Sequence, residues 1–145
     1  VVYNKENNEF VDTTDMLFSL DGINFQTSNL FNYVSPGIYS LTIKDRFNCS
    51  FITREVAVLG VRNFFTPNGD GIFDTWTVQG VSSNHYPNTK VSIFDRYGKL
   101  LKSFNPKHDT WDGTYNNIPQ PATDYWFIIE LEDGRSYKSH FSLKR

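Results

Sequence analysis

Between residues 125 and 131 apolar side chains fall on alternate positions, with Tyr125, Phe127, Ile129 and Leu131 on one face and Trp126 and Ile128 on the other. Successive side chains of an extended chain point to opposite sides, so this period of two predicts a β-strand buried mainly through its first face. Asp133-Gly134 supplies a tight turn, and Tyr137, Phe141 and Leu143 continue the buried face on the returning strand. A second alternation sets Tyr39, Leu41 and Ile43 against Ser40, Thr42 and Lys44. Residues 90–95 and 99–104 predict two further strands, joined at Asp95-Arg96-Tyr97-Gly98. No apolar period of a helix is sustained, and the pattern as a whole predicts an all-β chain.

Shorter strands are expected at residues 1–3, 9–11, 16–20 and 23–25, the last two separated by the turn dipeptide Asp21-Gly22, and again at 50–59 and 74–79. In the 74–79 strand Trp76 and Val78 share a face, and the polar stretch 81–88, with Pro87, predicts a loop. Residues 60–63 offer the one plausible boundary, dividing the chain into modules 1–59 and 60–145. The connection is short, so the two are expected to touch. Pro36 precedes Tyr39, and Pro121 precedes Tyr125, as a proline corner just ahead of a tyrosine that opens a long strand. In β-sandwiches such a tyrosine anchors a corner through its hydroxyl, which assigns Tyr39 and Tyr125 structural roles. The echo predicts two immunoglobulin-like antiparallel β-sandwich modules in tandem. Residues 1–59 are few for a complete sandwich, so the first module is either compact or cut at its amino-terminal side.

The least generic stretch is 64–76, FFTPNGDGIFDTW. Asn68-Gly69 and Asp70-Gly71 are both turn dipeptides, because glycine takes positive φ freely and Asn or Asp bonds its own backbone two residues on. Asn68, Asp70 and Asp74 also place oxygens at a spacing that suits a calcium loop, although the bidentate Glu of an EF-hand is missing. Two readings stand side by side: a calcium site, or side chains that hold the backbone of a tight surface turn. Trp76 and Trp111, each beside a strong turn, are assigned to the core, with Asp112 and Gly113 forming the turn after Trp111.

A net charge of -2 and a pI near 5.9, with no basic stripe, give no reason to expect nucleic acid. The aromatic content of 17% suits half-buried strands, where large flat side chains cover much core area. There is neither a long apolar run nor a cationic-then-apolar leader, and the chain starts at Val1; it is expected to be the tail end of a longer polypeptide with any signal peptide upstream. The lone Cys49 excludes an internal disulfide and is expected to act as a small buried hydrophobe. His85, His108 and His140 show no zincin spacing, and neither a nucleophile elbow nor a phosphate loop occurs. No catalytic residue is assigned. Tyr86, Tyr97, Tyr115 and Trp126 leave open a flat platform for a glycan or partner, against the alternative that they cover the core and its ends.

The ordered set Phe65-Thr66-Pro67-Asn68-Gly69-Asp70-Gly71 with Asp74 and Trp76, then Tyr86-Pro87-Asn88, then Val91-Ser92-Ile93-Phe94-Asp95-Arg96-Tyr97-Gly98, then Trp111-Asp112-Gly113-Thr114-Tyr115-Asn116, then the segment 137–145 resembles the gliding-motility-associated C-terminal domain, the type B sorting domain of the type IX secretion system. The resemblance covers about residues 61–145. It departs at Asn116-Asn117, where members often have Asn-Gly, and at Ala122-Thr123-Asp124-Tyr125, where they have Ser-Gly-Thr-Tyr. Residues 16–25, Pro36-Gly37-Ile38-Tyr39 and 45–49 are similar to immunoglobulin-like repeats of SprB-type surface adhesins.

The resemblance implies a non-catalytic sorting signal that delivers a large surface adhesin from the periplasm across the outer membrane, to the cell surface or medium. Its implied partners are the outer-membrane type IX translocon and a barrel protein of the PorP/SprF type. The recognition surface is expected at Asn68, Gly69, Asp70, Gly71 and Asp74 and on the last strand at Phe141, Leu143, Lys144 and Arg145. A ligand- or glycan-binding adhesin module is the alternative.

Overall fold

A computed structural model describes residues 2–4, 9–11, 15–49 and 51–145, the first two stretches by backbone alone. In chain order the strands are β1 (Val2–Asn4), β2 (Glu9–Val11), β3 (Met16–Ser19), β4 (Gly37–Asp45), β5 (Phe51–Val58), β6 (Gly60–Val61), β7 (Phe64–Phe65), β8 (Val78–Gln79), β9 (Lys90–Phe94), β10 (Leu100–Phe104), β11 (Thr114–Tyr115), β12 (Ile118–Pro119), β13 (Asp124–Glu130) and β14 (Ser136–Leu143). Among the described residues there is no helix, and hence none long and apolar enough to cross a membrane. The expected strand starts at Val1 and Ser50 lie outside the described residues.

The main sheet has five strands in the order β10-β9-β13-β14-β7. Its pairs are antiparallel except the last, where β7 runs parallel to β14 with Phe64 beside Ser142 and Phe65 beside Leu143. The expected alternation holds on β13, whose Tyr125, Phe127 and Ile129 are buried while Trp126 is 43% exposed. Facing this sheet is a more broken layer: the β6–β8 ladder, a two-residue bridge between Trp76 and Trp111, and the β11–β12 hairpin. The expected strand at 74–79 is thus shortened to β8 plus that bridge. Between the layers lies one aromatic-rich core that includes Phe65, Trp76, Trp111, Tyr125, Phe127 and Phe141. Asn116 and Asn117 both take positive φ, 51° and 64°, so the β11–β12 turn keeps the primed hairpin geometry that Asn-Gly would give.

Residues 15–58 form a thinner unit, the three-stranded sheet β3-β4-β5. Phe18 and Ser19 are its fully buried side chains; Tyr39, Leu41 and Ile43, expected on a buried face, are only half-buried, because no second sheet of the described residues covers them. Residues 23–25 are not a strand. Asp21 gathers the amides of Ile23 and Asn24 at 2.8 and 2.7 Å and accepts from Ser19 Oγ at 2.8 Å, which curls the chain so that only Gln26 bridges back to Phe18.

Both tyrosine corners are present. Tyr39 Oη donates to the Ser35 carbonyl at 2.8 Å and Tyr125 Oη to the Pro121 carbonyl at 2.7 Å, each reaching four residues back. The boundary expected at 60–63 is itself structured, since β6 pairs with β8. The two units touch there: a Cβ on Gly60 would stand 2.2 Å from Pro36 Cγ, so only glycine fits.

Two expectations of burial fail. Cys49 is exposed, in a turn where its amide donates to Asp45 Oδ1 at 2.8 Å. Tyr137 lies 48% exposed although it has the core-facing parity of Phe141 and Leu143, because it borders an open cavity with Leu59 and Val61 that no side chain fills.

Candidate recognition surface

The loop after β7 is built around one carboxylate. Asp74 Oδ1 accepts the amides of Gly69 at 2.7 Å and Asn68 at 3.0 Å, while Oδ2 accepts that of Gly71 at 2.7 Å. The Gly69 amide, then that of Gly71, holds the Asp74 carboxyl below the usual carboxylate value; partial desolvation opposes this and the Asn68 amide adds to it. Asp70 accepts the Ile72 amide through Oδ1 at 2.8 Å and Asn68 Nδ2 through Oδ2 at 3.0 Å, and Asn68 Oδ1 accepts the Asp70 amide at 3.1 Å. Thr66 closes the loop by donating its amide to the Phe73 carbonyl at 2.7 Å. Five carboxylate and amide oxygens of this trio thus accept N–H groups of the loop. No group of three His, Cys, Asp or Glu residues among the described residues is arranged to hold a metal.

The last strand is tied into the same region. Ser142 donates its amide to the Asn63 carbonyl at 2.9 Å and Lys144 to the Phe65 carbonyl at 3.0 Å, with the Leu143 amide reaching Thr123 on the other side at 2.9 Å. Phe141 and Leu143 are fully buried, so their side chains are core and not recognition surface. The strand presents His140, Ser142, Lys144 and Arg145 outward instead. Lys144 Nζ sits 4.8 Å from the Phe64 ring centre, Phe64 packs edge-on to Phe73 at 5.9 Å, and Arg62 lies 4.3 Å over Phe73. This row of cation, ring, ring and cation joins the turn at 68–74 to the last strand. Each exposed cation–π contact contributes about 0.5–1 kcal/mol. Arg62, Phe64 and Phe73 were not assigned to the recognition surface from the sequence; the loop closure from Thr66 to Phe73 brings these three together, and the parallel pairing of β7 with β14, which no local pattern encodes, adds Lys144.

Beneath this surface lie the buried indoles of Trp76 and Trp111. Trp76 Nε1 donates to the Arg62 carbonyl at 2.8 Å and Trp111 Nε1 to that of Thr114 at 2.9 Å, so each buried indole has its partner. Asp112 Oδ1 accepts both the amide and the hydroxyl of Thr114, at 3.0 and 2.8 Å. Burial pushes the Asp112 carboxyl up, but these two bonds, its own amide and the Lys102 charge together outweigh it and leave it below the usual range. Gly113 has φ +83°, and a Cβ there would come within 2.9 Å of Leu143 Cδ1 and 3.3 Å of Phe65 and Pro67.

His85 is not placed as the relay of a serine hydrolase. His85 Nε2 donates to the Glu55 carbonyl at 3.3 Å, while Ser82 Oγ and Glu55 Oε1 both approach Nδ1, at 3.2 and 3.4 Å. A hydrolytic relay needs the serine and the acid on opposite ring nitrogens. Asp109 is engaged by Lys102 at 2.9 Å. The candidate platform is also divided: Tyr86 lines a cavity at the junction of the two units, and Trp126 lines a groove with His140 on the outer face of the main sheet. Tyr97 is exposed at its hairpin tip, and Tyr115 lies under Lys99.

Comparison with known proteins gives the following. No curated protein matches the chain. Among solved structures it is similar to Tp47, the 47-kilodalton lipoprotein of Treponema pallidum, at 13% identity and a TM-score of 0.35, covering 88% of this chain and 39% of that one. It is also similar to dimeric latent PorU from Porphyromonas gingivalis, at 15% identity and a TM-score of 0.36, covering 90% of this chain and 16% of that one. The chain thus spans well under half of either protein. The family model of the CHU_C type IX secretion signal domain matches residues 59–143, a stretch that starts beside β6, ends at Leu143 and holds the whole aromatic core. Over most of its length, then, the chain belongs to the type IX secretion signal domain family.

Proposed function

We propose that the chain is a non-catalytic sorting signal that sends a large surface adhesin through the type IX secretion system, by way of the periplasm, to the cell surface or medium. The family match over 59–143 carries this reading. Its partners on this reading are the outer-membrane translocon and a PorP/SprF-type barrel, and the surface they meet is the turn at 68–74 with the outward groups of the last strand. Residues 1–59 are an immunoglobulin-like adhesin repeat, and the two-layered unit after it is a sandwich of the same class. Support for the latter comes from the paired tyrosine corners at Tyr39 and Tyr125. A folded domain of this kind is recognised by edges and turns and needs no chemistry of its own.

The test is a reporter fused ahead of the full chain and behind a signal peptide, expressed in a host with this secretion system and in the same host lacking the translocon. Surface reporter is expected only in the first; folded reporter held in the periplasm of both would refute the reading. The glycan-binding alternative draws on the exposure of Trp126 beside His140. It predicts glycan binding that Tyr86→Ala or Trp126→Ala abolishes while export continues.

A further inference from the structure

The hydrogen-bonding direction of β14 is fixed at both ends. The Leu143 amide donates to Thr123 and the Leu131 amide to Arg135, so the odd-numbered residues of β14 exchange bonds with β13. The Ser142 amide donates the other way, to Asn63 beside β7. Residues 136, 138 and 140 share the direction of Ser142, yet β7 reaches only Ser142 and Leu143. Among the described residues, their N–H and C=O groups therefore line an open sheet edge. Residues 136–140 are all exposed, including Tyr137 and Ser139 on the core-facing side. The opposite edge of the sheet is protected differently: β10 carries a bulge between Leu100 and Lys102, and Lys102 Nζ ties it to the Thr110 carbonyl at 2.6 Å.

We infer that this edge of β14 binds an extended segment of a partner protein, which adds to the main sheet as a strand beside residues 136–140, in line with β7. The two flanks of the edge set the chemistry of that segment. On the core-facing side lies a cavity of about 390 Å³ lined mainly by Ala57, Leu59, Val61, Phe127, Ile129 and Tyr137, which takes apolar side chains. On the outer side Lys144 lines a groove with Asn63, Phe64, Ser139, His140 and Ser142, where the Asp124 carboxylate is held by the Ser142 hydroxyl, and Lys138 lines the neighbouring groove with Trp126, His140 and Asp95. A strand alternating apolar and acidic residues matches both, since its side chains point to the two faces in turn. Placing this partner in the secretion machinery rests on the sorting reading; the edge itself does not.

Lys138→Pro is the discriminating variant. It removes an N–H that points away from β13, and proline is tolerated at an edge on its solvent side. With the full chain and a short synthetic peptide alternating valine and glutamate, amide exchange at Lys138 and His140 is expected to be fast in the free chain and slowed by the peptide. Lys138→Pro is expected to weaken binding about tenfold, the cost of leaving the peptide carbonyl unpaired. The fused reporter carrying Lys138→Pro should stay in the periplasm with an unchanged melting temperature. Exchange at both amides that the peptide does not alter would overturn the inference. So would a folded Lys138→Pro fusion exported like its parent, a result that leaves the sorting reading intact. Failure of the unsubstituted fusion to be exported would count against sorting alone, with the peptide measurement still deciding the edge.

Discussion

The ring of Phe141 lies stacked on that of Trp76, with centroids 4.1 Å apart and planes within 13°. Phe141 also meets Phe65, Trp111, Tyr125 and Phe127 at 5.8–6.2 Å. One residue near the end of the chain therefore meets five rings that come from four separate segments. Phe141→Ala is expected to cost about 3–5 kcal/mol in urea unfolding. A double-mutant cycle with Trp76→Leu should show coupling of about 0.5–1.5 kcal/mol, and additivity would contradict the stacked contact.

Gly113 is the backbone position the last strand depends on. Gly113→Ala forces a side chain into the left-handed region and against Leu143 Cδ1, with an expected loss of about 1–2 kcal/mol or more. Thermal unfolding checks this, and a variant as stable as the parent would contradict the geometry.

Asp74 makes the loop sensitive to acid. Its folded carboxyl titrates below the usual value of 3.8, so its contribution is fully present above that value and is lost as pH falls through the lower folded value. Amide exchange at Gly69 and Gly71 should accelerate below about pH 4 in the parent, beyond the intrinsic pH dependence. Asp74→Asn should remove that step and show fast exchange throughout.

The same bonds bear on calcium. A cation at Asn68, Asp70 and Asp74 would have to displace N–H groups already aimed at these oxygens. Titrating calcium is expected to leave the melting temperature unchanged, because only a metal bound to the folded state raises it. A rise with calcium would restore the metal reading.

What could be read from the sequence was local. The alternation at 125–131 gives β13 and its buried face because each residue's side is decided by its neighbours, and Asp133-Gly134 gives the turn for the same reason. Tyr137 has the right parity but the wrong exposure, since burial needs a covering layer that parity cannot report. The spacing of Asn68, Asp70 and Asp74 suited a self-bonded turn and also a metal; the direction of the glycine amides, which supports the turn, is not written in that spacing. The β7–β14 pairing, and with it the row from Lys144 to Arg62, links residues nearly eighty positions apart and left no trace in local pattern. Phe141 and Leu143 were placed on the recognition surface from their position in the chain, whereas their side chains are the floor beneath it.

The central claim is that the address lies in the unit matched by the secretion signal family and not in the three-stranded unit before it. The most direct measurement compares surface display of one reporter carrying residues 1–145, residues 59–145 or residues 1–58 in a host with the type IX system. Display by the first two alike, with the third retained, is the predicted result. Residues 59–145 folded yet held in the periplasm while 1–145 reaches the surface would contradict it.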